Sequence, residues 1–407
     1  MAFGDDVRGA YVARIHHGHG IYVQGAYVLR ASDGKTRHML PPNGVRIPDL
    51  AIVNPFLERL GLGRLSPDRV VTHPGRHRKC SGVTTSGRGV FVKQLNESLG
   101  CPAPGVRRAR SFEALRTPEL SGAALLGADD DRNLLVFELI EDAEPADLLA
   151  REGRFDAGLA RRLGEMTGAL HELPVDLENA SIDTSPSRYP PLGSLEGLTL
   201  TQYQAASSAV LQGWRLLQQD EEVKEALRAL RRDEDTASKV PTHGDFRLDQ
   251  VLVAGGRRHI IDWEEFRLGD PAHDVGMFVG EWLYLAADRA ARGLHTGPVG
   301  DSGTVLGVSR EEVIARTTVE LRAAQPMVGE FWSGYRSVRT TTDPDLPRRA
   351  AALAGWHLYD RMFSVVAKMM VLSMTQYVAN GIGRRALLNP HEIAGILEMG
   401  EIDVTSR

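Results

Sequence analysis

The sequence predicts an α+β fold. A mostly antiparallel sheet with one key helix occupies residues 68–141, and a larger, mainly helical region occupies residues 142–407. Three observations predict it. Short apolar runs separated by turn residues dominate the earlier stretch, which is strand patterning. Apolar residues recurring at helical spacing dominate the later stretch. A hairpin pattern with acidic residues on either side then interrupts the helical half near residues 250–262.

Taken in order, residues 1–67 read as an extension. AYVARI and IYVQGAYVLR, followed by the turn ASDGK, suggest a β-ribbon, with His16, His17 and His19 in its turn. No carboxylate or Cys lies near these three, so they read as a polar turn, not a metal site. LPPNG breaks the chain, and Asp49 is placed to cap a helix, DLAIVNPFLERLGLG, that stops at Gly61 or Gly63. In residues 68–141, DRVVTH and GVTTS read as strands around the loop GRHRKCSG, and VFVKQL carries Lys93 near the end of an apolar strand. RRARSFEALRTPEL is a helix bearing Glu113, and LLGADDDRNLLVFELI is two strands around ADDDRN. From residue 142 onward helices dominate. Leu159, Leu163, Met166 and Leu170 share one face, and residues 182–200 form a connecting loop.

Bulk properties exclude several classes. The chain of 407 residues with 42% hydrophobic content can bury more than one packed unit. A net charge of -5 argues against a nucleic-acid binder working through bulk charge. The two cysteines, Cys80 and Cys101, form no C-x-x-C pair, which fits a reducing cytoplasm. MAFGDDVRGAYV lacks the basic-then-apolar order of a signal peptide. The most apolar stretch, residues 276–287, contains Glu281 and is shorter than the roughly 20 residues of a membrane span. A soluble, cytoplasmic protein without nucleic-acid or membrane partners is expected.

The chemistry concentrates in VPTHGDFRLDQVLVAGGRRHIIDWEEFRLGDPAHDVG. QVLV and HIID are strands around AGGRR, so Asp245 and Gln250 enter the hairpin and Asp262 leaves it. Asp245 and Asp262 can thus converge. Paired carboxylates beside an amide suit a proton acceptor and ligands of a hard cation, and Mg²⁺ takes one or two carboxylates while leaving room for phosphate oxygens.

HGDFRLDQ, IIDWEE and GDPAHDVG, in that order, resemble the signature of the aminoglycoside-phosphotransferase and choline-kinase-like family. The same register is similar to the protein-kinase catalytic loop and its metal-binding Asp. The resemblance runs from about Asp68 to at least Gly280 and includes the strand Lys, the helix Glu, an apolar hinge strand and a helix ending in Leu170 and His171. It implies a two-lobed, protein-kinase-like fold using ATP and Mg²⁺. Asp245 matches the catalytic Asp, and Asp262 the Asp that holds Mg²⁺ on the phosphates. Gln250 stands where the family has Asn, the second metal ligand, on a longer arm. Lys93 matches the phosphate-binding Lys and Glu113 its partner, with Glu119 as the alternative. Glu138, Leu139 and Ile140 would supply the hinge groups for adenine. His243 and Asp274 resemble groups bracing the catalytic loop. Between Gly75 and Gly82, Arg76, Arg78 and Lys79 could cover the phosphates with backbone amides. Arg247, two residues after Asp245, is a candidate for steadying transferred charge.

The acceptor is read less directly. Trp, Tyr and Met residues of the C-terminal helices read as core, and Glu264, Glu265, Asp270 and Glu281 are the nearest acidic candidates for a polycationic substrate. The expected acceptor is a hydroxyl of a small metabolite, or Ser/Thr of a precursor peptide. The second expectation comes from GRHRKCSGVTTSGRGVFVKQL, which resembles family members of lanthipeptide-type pathways, where a partner enzyme in a biosynthetic complex would be expected. A non-catalytic pseudokinase binding a partner is the alternative, suggested by Gln250.

Overall fold

The computed structural model describes residues 47–73, 75–96, 104–175, 182–187, 190–294, 309–341, 343–367 and 369–400. The ribbon expected in residues 8–40, with its three histidines, and Cys101 lie outside the described residues. The elements in chain order are α1 (Leu50–Arg59), β1 (Val71–His73), β2 (Arg78–Val83), β3 (Gly89–Gln94), α2 (Pro104–Leu115), β4 (Leu125–Asp129), β5 (Leu134–Glu138), β6 (Glu144–Pro145), α3 (Ala146–Arg151) and α4 (Ala157–His171). There follow α5 (Leu200–Ala205), α6 (Ser208–Gln218), α7 (Glu221–Thr236), β7 (Val240–Thr242), β8 (Val251–Ala254), β9 (Arg257–Ile260), β10 (Arg267–Gly269) and α8 (Ala272–Leu294). The chain closes with α9 (Arg310–Val338), α10 (Leu346–Val366), α11 (Met374–Leu388) and α12 (Pro390–Ile396). The architecture is the expected α+β one, in two compact units. The first takes the chain up to Ala114, then Ser121–Pro145 and Val251–Glu264; the second takes Leu115–Leu120, Ala146–Gln250 and Glu265 onward.

The first unit is built on a five-stranded sheet in the order β1-β2-β3-β5-β4, all neighbours antiparallel. Side chains alternate across a strand. Val90 and Val92 of β3 therefore join Cys80 and Val136 in a core closed by Val53, Phe56 and Leu57 of α1. Lys93 falls on the other face, where Leu95, Val106, Ala109 and Leu135 make a smaller cluster with α2. Asp49 caps α1 by accepting from the Ala51 N–H at 2.9 Å. The Cys80 thiol is pushed up to about 12 by burial, so it is an inert core group.

Two local expectations change. The stretch read as a loop at residues 75–82 becomes strand from Arg78 onward, because Arg78 to Val83 pair residue for residue with Gln94 to Gly89. The expected strand at residues 82–86 instead runs into a turn in which Gly87 has φ +83°. Charge-rich composition suggests a loop, but pairing of β2 with β3 along its whole length, and with β1 at Lys79–Ser81, gives its backbone ladder partners.

In the second unit α4 lies against α9, and α8 against α9, α10 and α11. The α4–α9 contact is glycine-mediated. A Cβ on Gly164 would sit 1.9 Å from the Phe331 carbonyl oxygen, and one on Gly334 would sit 2.0 Å from that of Arg161. The run read as one helix over residues 200–236 is three, since Ser207 and Asp220 accept from the Val210 and Val223 N–H groups as helix caps.

Candidate active site

The first unit assembles a charged cluster at the end of β3. Lys93, 3% exposed, places its ammonium on Asp262 Oδ1 and 2.5 Å from Glu264 Oε2. Asp262 follows β9 and adopts φ +69°, a left-handed conformation that Asp tolerates better than most residues and that is frequent at functional sites. Burial by itself would lower the Lys93 pKa. The facing charges of Asp262 and Glu264 outweigh it and hold the ammonium above the ordinary lysine value. Burial likewise opposes the Glu264 charge, yet Lys93 and His77 pull its carboxyl well below the usual range. An ammonium this buried needs carboxylate partners, since an unpaired one would be strongly destabilising.

Glu113, expected to pair with Lys93, is not among its partners; Glu264 occupies that role. The helix instead backs the Asp262–Glu264 segment. Phe112 stacks on Trp263 with ring centroids 3.4 Å apart. A Cβ on Gly105 would meet Glu264 Cβ at 3.2 Å, so the glycine lets the helix pass closely. Glu119 is fully exposed, with its pKa lowered by local hydrogen bonds.

The loop after Gly75 contributes His77, which the sequence reading passed over. Its Nδ1 accepts from the Asn96 N–H at 3.0 Å, while Nε2 lies 3.2 Å from Glu264 Oε1 and accepts from the Arg76 Nε–H at 3.1 Å. Arg76 Nη2 lies 3.3 Å from the same oxygen. Gly82, expected beside phosphate, lies within β2, and its missing Cβ admits the Arg69 carbonyl oxygen and Leu65 at 3.0 Å. Lys79 is buried opposite Lys93, while Arg78 pairs with Gln94 in register. At the expected hinge, the Glu138 N–H donates to the Ala124 carbonyl and the Leu139 N–H to the Gly89 carbonyl. Ile140 follows, half-buried.

The second unit carries Asp245. Asp274, fully buried, accepts from the backbone N–H groups of His243 at 2.7 Å and Gly244 at 2.9 Å. It also meets His171 Nε2 at 3.1 Å, while His171 Nδ1 meets the Tyr335 hydroxyl at 3.0 Å. Burial opposes the Asp274 charge, but these donors outweigh it and lower its pKa. Gly244 has φ +79°, and a Cβ there would lie 2.5 Å from the Glu265 carbonyl oxygen. His243 Nδ1 accepts from the Asp245 N–H at 3.2 Å, and Phe246 is buried. The loop is thus clamped on both sides of Asp245, whose carboxylate stays accessible with 29% of its side chain exposed. Arg247 lies on Asp245 itself, Nη2 to Oδ2 at 3.1 Å, with Nε 3.4 Å from Asp249. Gln250, buried, closes a 3₁₀ turn just before β8.

The acidic residues named for a polycationic acceptor all have internal partners. Glu264 holds Lys93; Glu265 pairs with Arg267 at 2.6 Å, and Asp270 with Arg349 at 2.8 Å. Glu281 meets His357 at 2.8 Å and Arg361 at 3.2 Å.

Residues 105–298 match the model of the phosphotransferase enzyme family. The matched stretch holds Asp245, Gln250 and Asp262 and begins after Lys93, so the Lys93 cluster is information the structure adds. No curated protein matches the chain in sequence. Its fold is similar to that of a choline kinase from Streptococcus pneumoniae, at 14% identity over 83% of this chain and 98% of that one, with a TM-score of 0.50. Amicoumacin kinase is similar at 13% identity, over 84% and 93% of the two chains, with a TM-score of 0.49. A choline/ethanolamine kinase family protein from Mesorhizobium loti is similar at 14% identity, over 84% and 99%, with a TM-score of 0.45. At 14% identity the likeness to the choline kinase is one of fold, and the fold is kinase-like. With the family match, the chain is an ATP-dependent phosphotransferase acting on a hydroxyl group.

Proposed function

We propose that this chain moves the γ-phosphoryl group of ATP, bound with Mg²⁺, to a hydroxyl of a small metabolite. The observation that carries the reading is the buried Lys93 ammonium, matched by Asp262 in a left-handed backbone conformation. In this reading Lys93 binds the phosphates of the nucleotide, and Glu138, Leu139 and Ile140 receive its base. Asp262 is the carboxylate that takes the divalent cation, with Gln250 offering an amide oxygen. Mg²⁺ takes one or two carboxylates and is completed by phosphate oxygens. The cation's contribution is to neutralise charge on those oxygens.

Asp245 orients the acceptor hydroxyl and takes its proton as the new O–P bond forms and the bond to the ADP oxygen breaks. Arg247, resting on Asp245, fixes that carboxylate's orientation and steadies charge on the transferred group. Most of the barrier reduction in such a transfer comes from positioning and electrostatics, which fits an Asp245 loop clamped by Asp274.

The test is transfer of label from γ-labelled ATP with Mg²⁺ to a panel of amino alcohols, sugars, nucleosides and Ser/Thr peptides. Asp245→Asn should lower transfer by at least about 100-fold while ADP binding changes little. Labelling of peptides alone would move the acceptor to Ser/Thr of a precursor peptide. Absence of any Mg²⁺-dependent ATP turnover, or full activity in Asp245→Asn, would sink the reading.

A further inference from the structure

Glu264 is joined to more of the first unit than any role in a metal site alone requires. One oxygen lies 2.5 Å from the Lys93 ammonium. The other lies 3.2 Å from His77 Nε2 and 3.3 Å from Arg76 Nη2. Its backbone carbonyl accepts from Arg108 at 3.4 Å. The same loop is fastened to the exit of β3, since Asn96 donates its backbone N–H to His77 Nδ1 at 3.0 Å and its side-chain amide to the Arg76 carbonyl. One carboxylate thus ties together the sheet lysine and the loop after Gly75.

We propose that Glu264 and His77 form a positioning pair that holds Lys93 and the Gly75–His77 loop ready for a nucleoside polyphosphate, and that frees Asp262 for the cation. The proposal rests on the phosphotransferase reading above. Its physical basis is competition for Asp262. Lys93, 4% exposed in its side chain, stands between two carboxylates. With Glu264 in place, Lys93 keeps a counter-charge when Asp262 turns to a cation. Without it, the buried ammonium and the cation both require the one remaining carboxylate. His77 acts through Glu264: its Nε2, 3.2 Å from the oxygen not on Lys93 and 3.1 Å from Arg76 Nε, packs against that oxygen together with Arg76 and fixes the carboxylate's rotation.

ADP binding, measured by calorimetry with and without Mg²⁺, separates this from a merely structural role. Glu264→Gln keeps the shape and removes the charge. It should weaken ADP binding in Mg²⁺ and raise the Mg²⁺ concentration needed for half-maximal binding by about 10-fold or more, as is usual when a supporting residue of a cation site is lost. Metal-free ADP binding should change less. His77→Ala should weaken both modes, and His77→Gln, whose amide stands in for Nε2 between Arg76 and Glu264, should restore most of the loss. An unchanged Mg²⁺ requirement in Glu264→Gln, or equal losses in His77→Ala and His77→Gln, overturns the proposal. If Glu264→Gln does not fold, as judged by its thermal melt, the two His77 variants decide alone. A parent chain that binds no ADP overturns the phosphotransferase reading as well, whereas a parent that binds ADP with variants indistinguishable from it overturns this proposal only.

Discussion

Asp262 answers two demands, a counter-charge for Lys93 and a left-handed backbone that aims its carboxylate. Asp262→Ala should therefore abolish Mg²⁺-dependent transfer to the level of background. Retained activity in that variant would refute the metal assignment. A second residue makes a pH prediction. Asp147, 14% exposed in its side chain, has its carboxyl raised to about 6, chiefly by burial and with Asp249 and Glu281 adding to the effect against Arg151. The folded chain takes up this proton before the unfolded chain does. The group's contribution to stability is thus full below the ordinary carboxylate range and is lost as pH rises through about 6. Asp147→Asn should stabilise the protein by about 1–3 kcal/mol at pH 8 and have little effect near pH 4. Denaturation midpoints at the two pH values check this, and an equal gain at both would refute it. Asp245 and Asp262 could be singled out as candidates in the sequence because each sits in a short, ordered motif, and Lys93 because of its spacing from them at the end of an apolar strand. Glu264 was visible only as an acidic residue, and His77 not at all. Nothing local to either reports that β3 and the end of β9 come together.

Elements were legible where one pattern governs them. The hairpin of β8 and β9 forms around Gly255 and Gly256, both left-handed, as the turn AGGRR suggested. The helix bearing Glu113 exists as α2, yet its face is set by packing on Trp263 and not by the charge on Glu113. The α4–α9 contact was not legible, because a glycine within a helical pattern looks like a weakness until the opposing backbone is seen. Gly164→Ala or Gly334→Ala places a methyl group about where a carbonyl oxygen lies. Each should cost about 1–3 kcal/mol or more, read as a lowered denaturation midpoint. An unchanged midpoint in both variants would show that the helices separate without strain. Gly153, a left-handed turn glycine with nothing within 4 Å of its added Cβ, should respond only through its backbone conformation.

At the scale of the whole chain, neither unit is a continuous stretch. The first unit borrows Val251–Glu264 from the middle of the region that otherwise builds the second. That segment supplies β8, which pairs with β6, and both carboxylates of Lys93. A fragment of residues 47–145 would lack both carboxylates of Lys93 and the Trp263 ring that stacks on Phe112. It should show no cooperative thermal melt. A cooperative transition in the fragment would show that the sheet tolerates the loss. No helix among the described residues is long and apolar enough to cross a membrane.

By itself the sequence determined the class of fold and where strand and helix patterning dominate, and it singled out the lysine and the two aspartates as candidates. Periodicity and short motifs act over a few residues and survive in a linear reading. The tertiary structure alone decided which carboxylate answers Lys93, why Gly82, Gly164 and Gly334 lack side chains, and that the acidic residues near the motif already hold cations of their own chain. Those outcomes depend on close approach between segments far apart in the chain, and distance in space is not written in distance along the sequence.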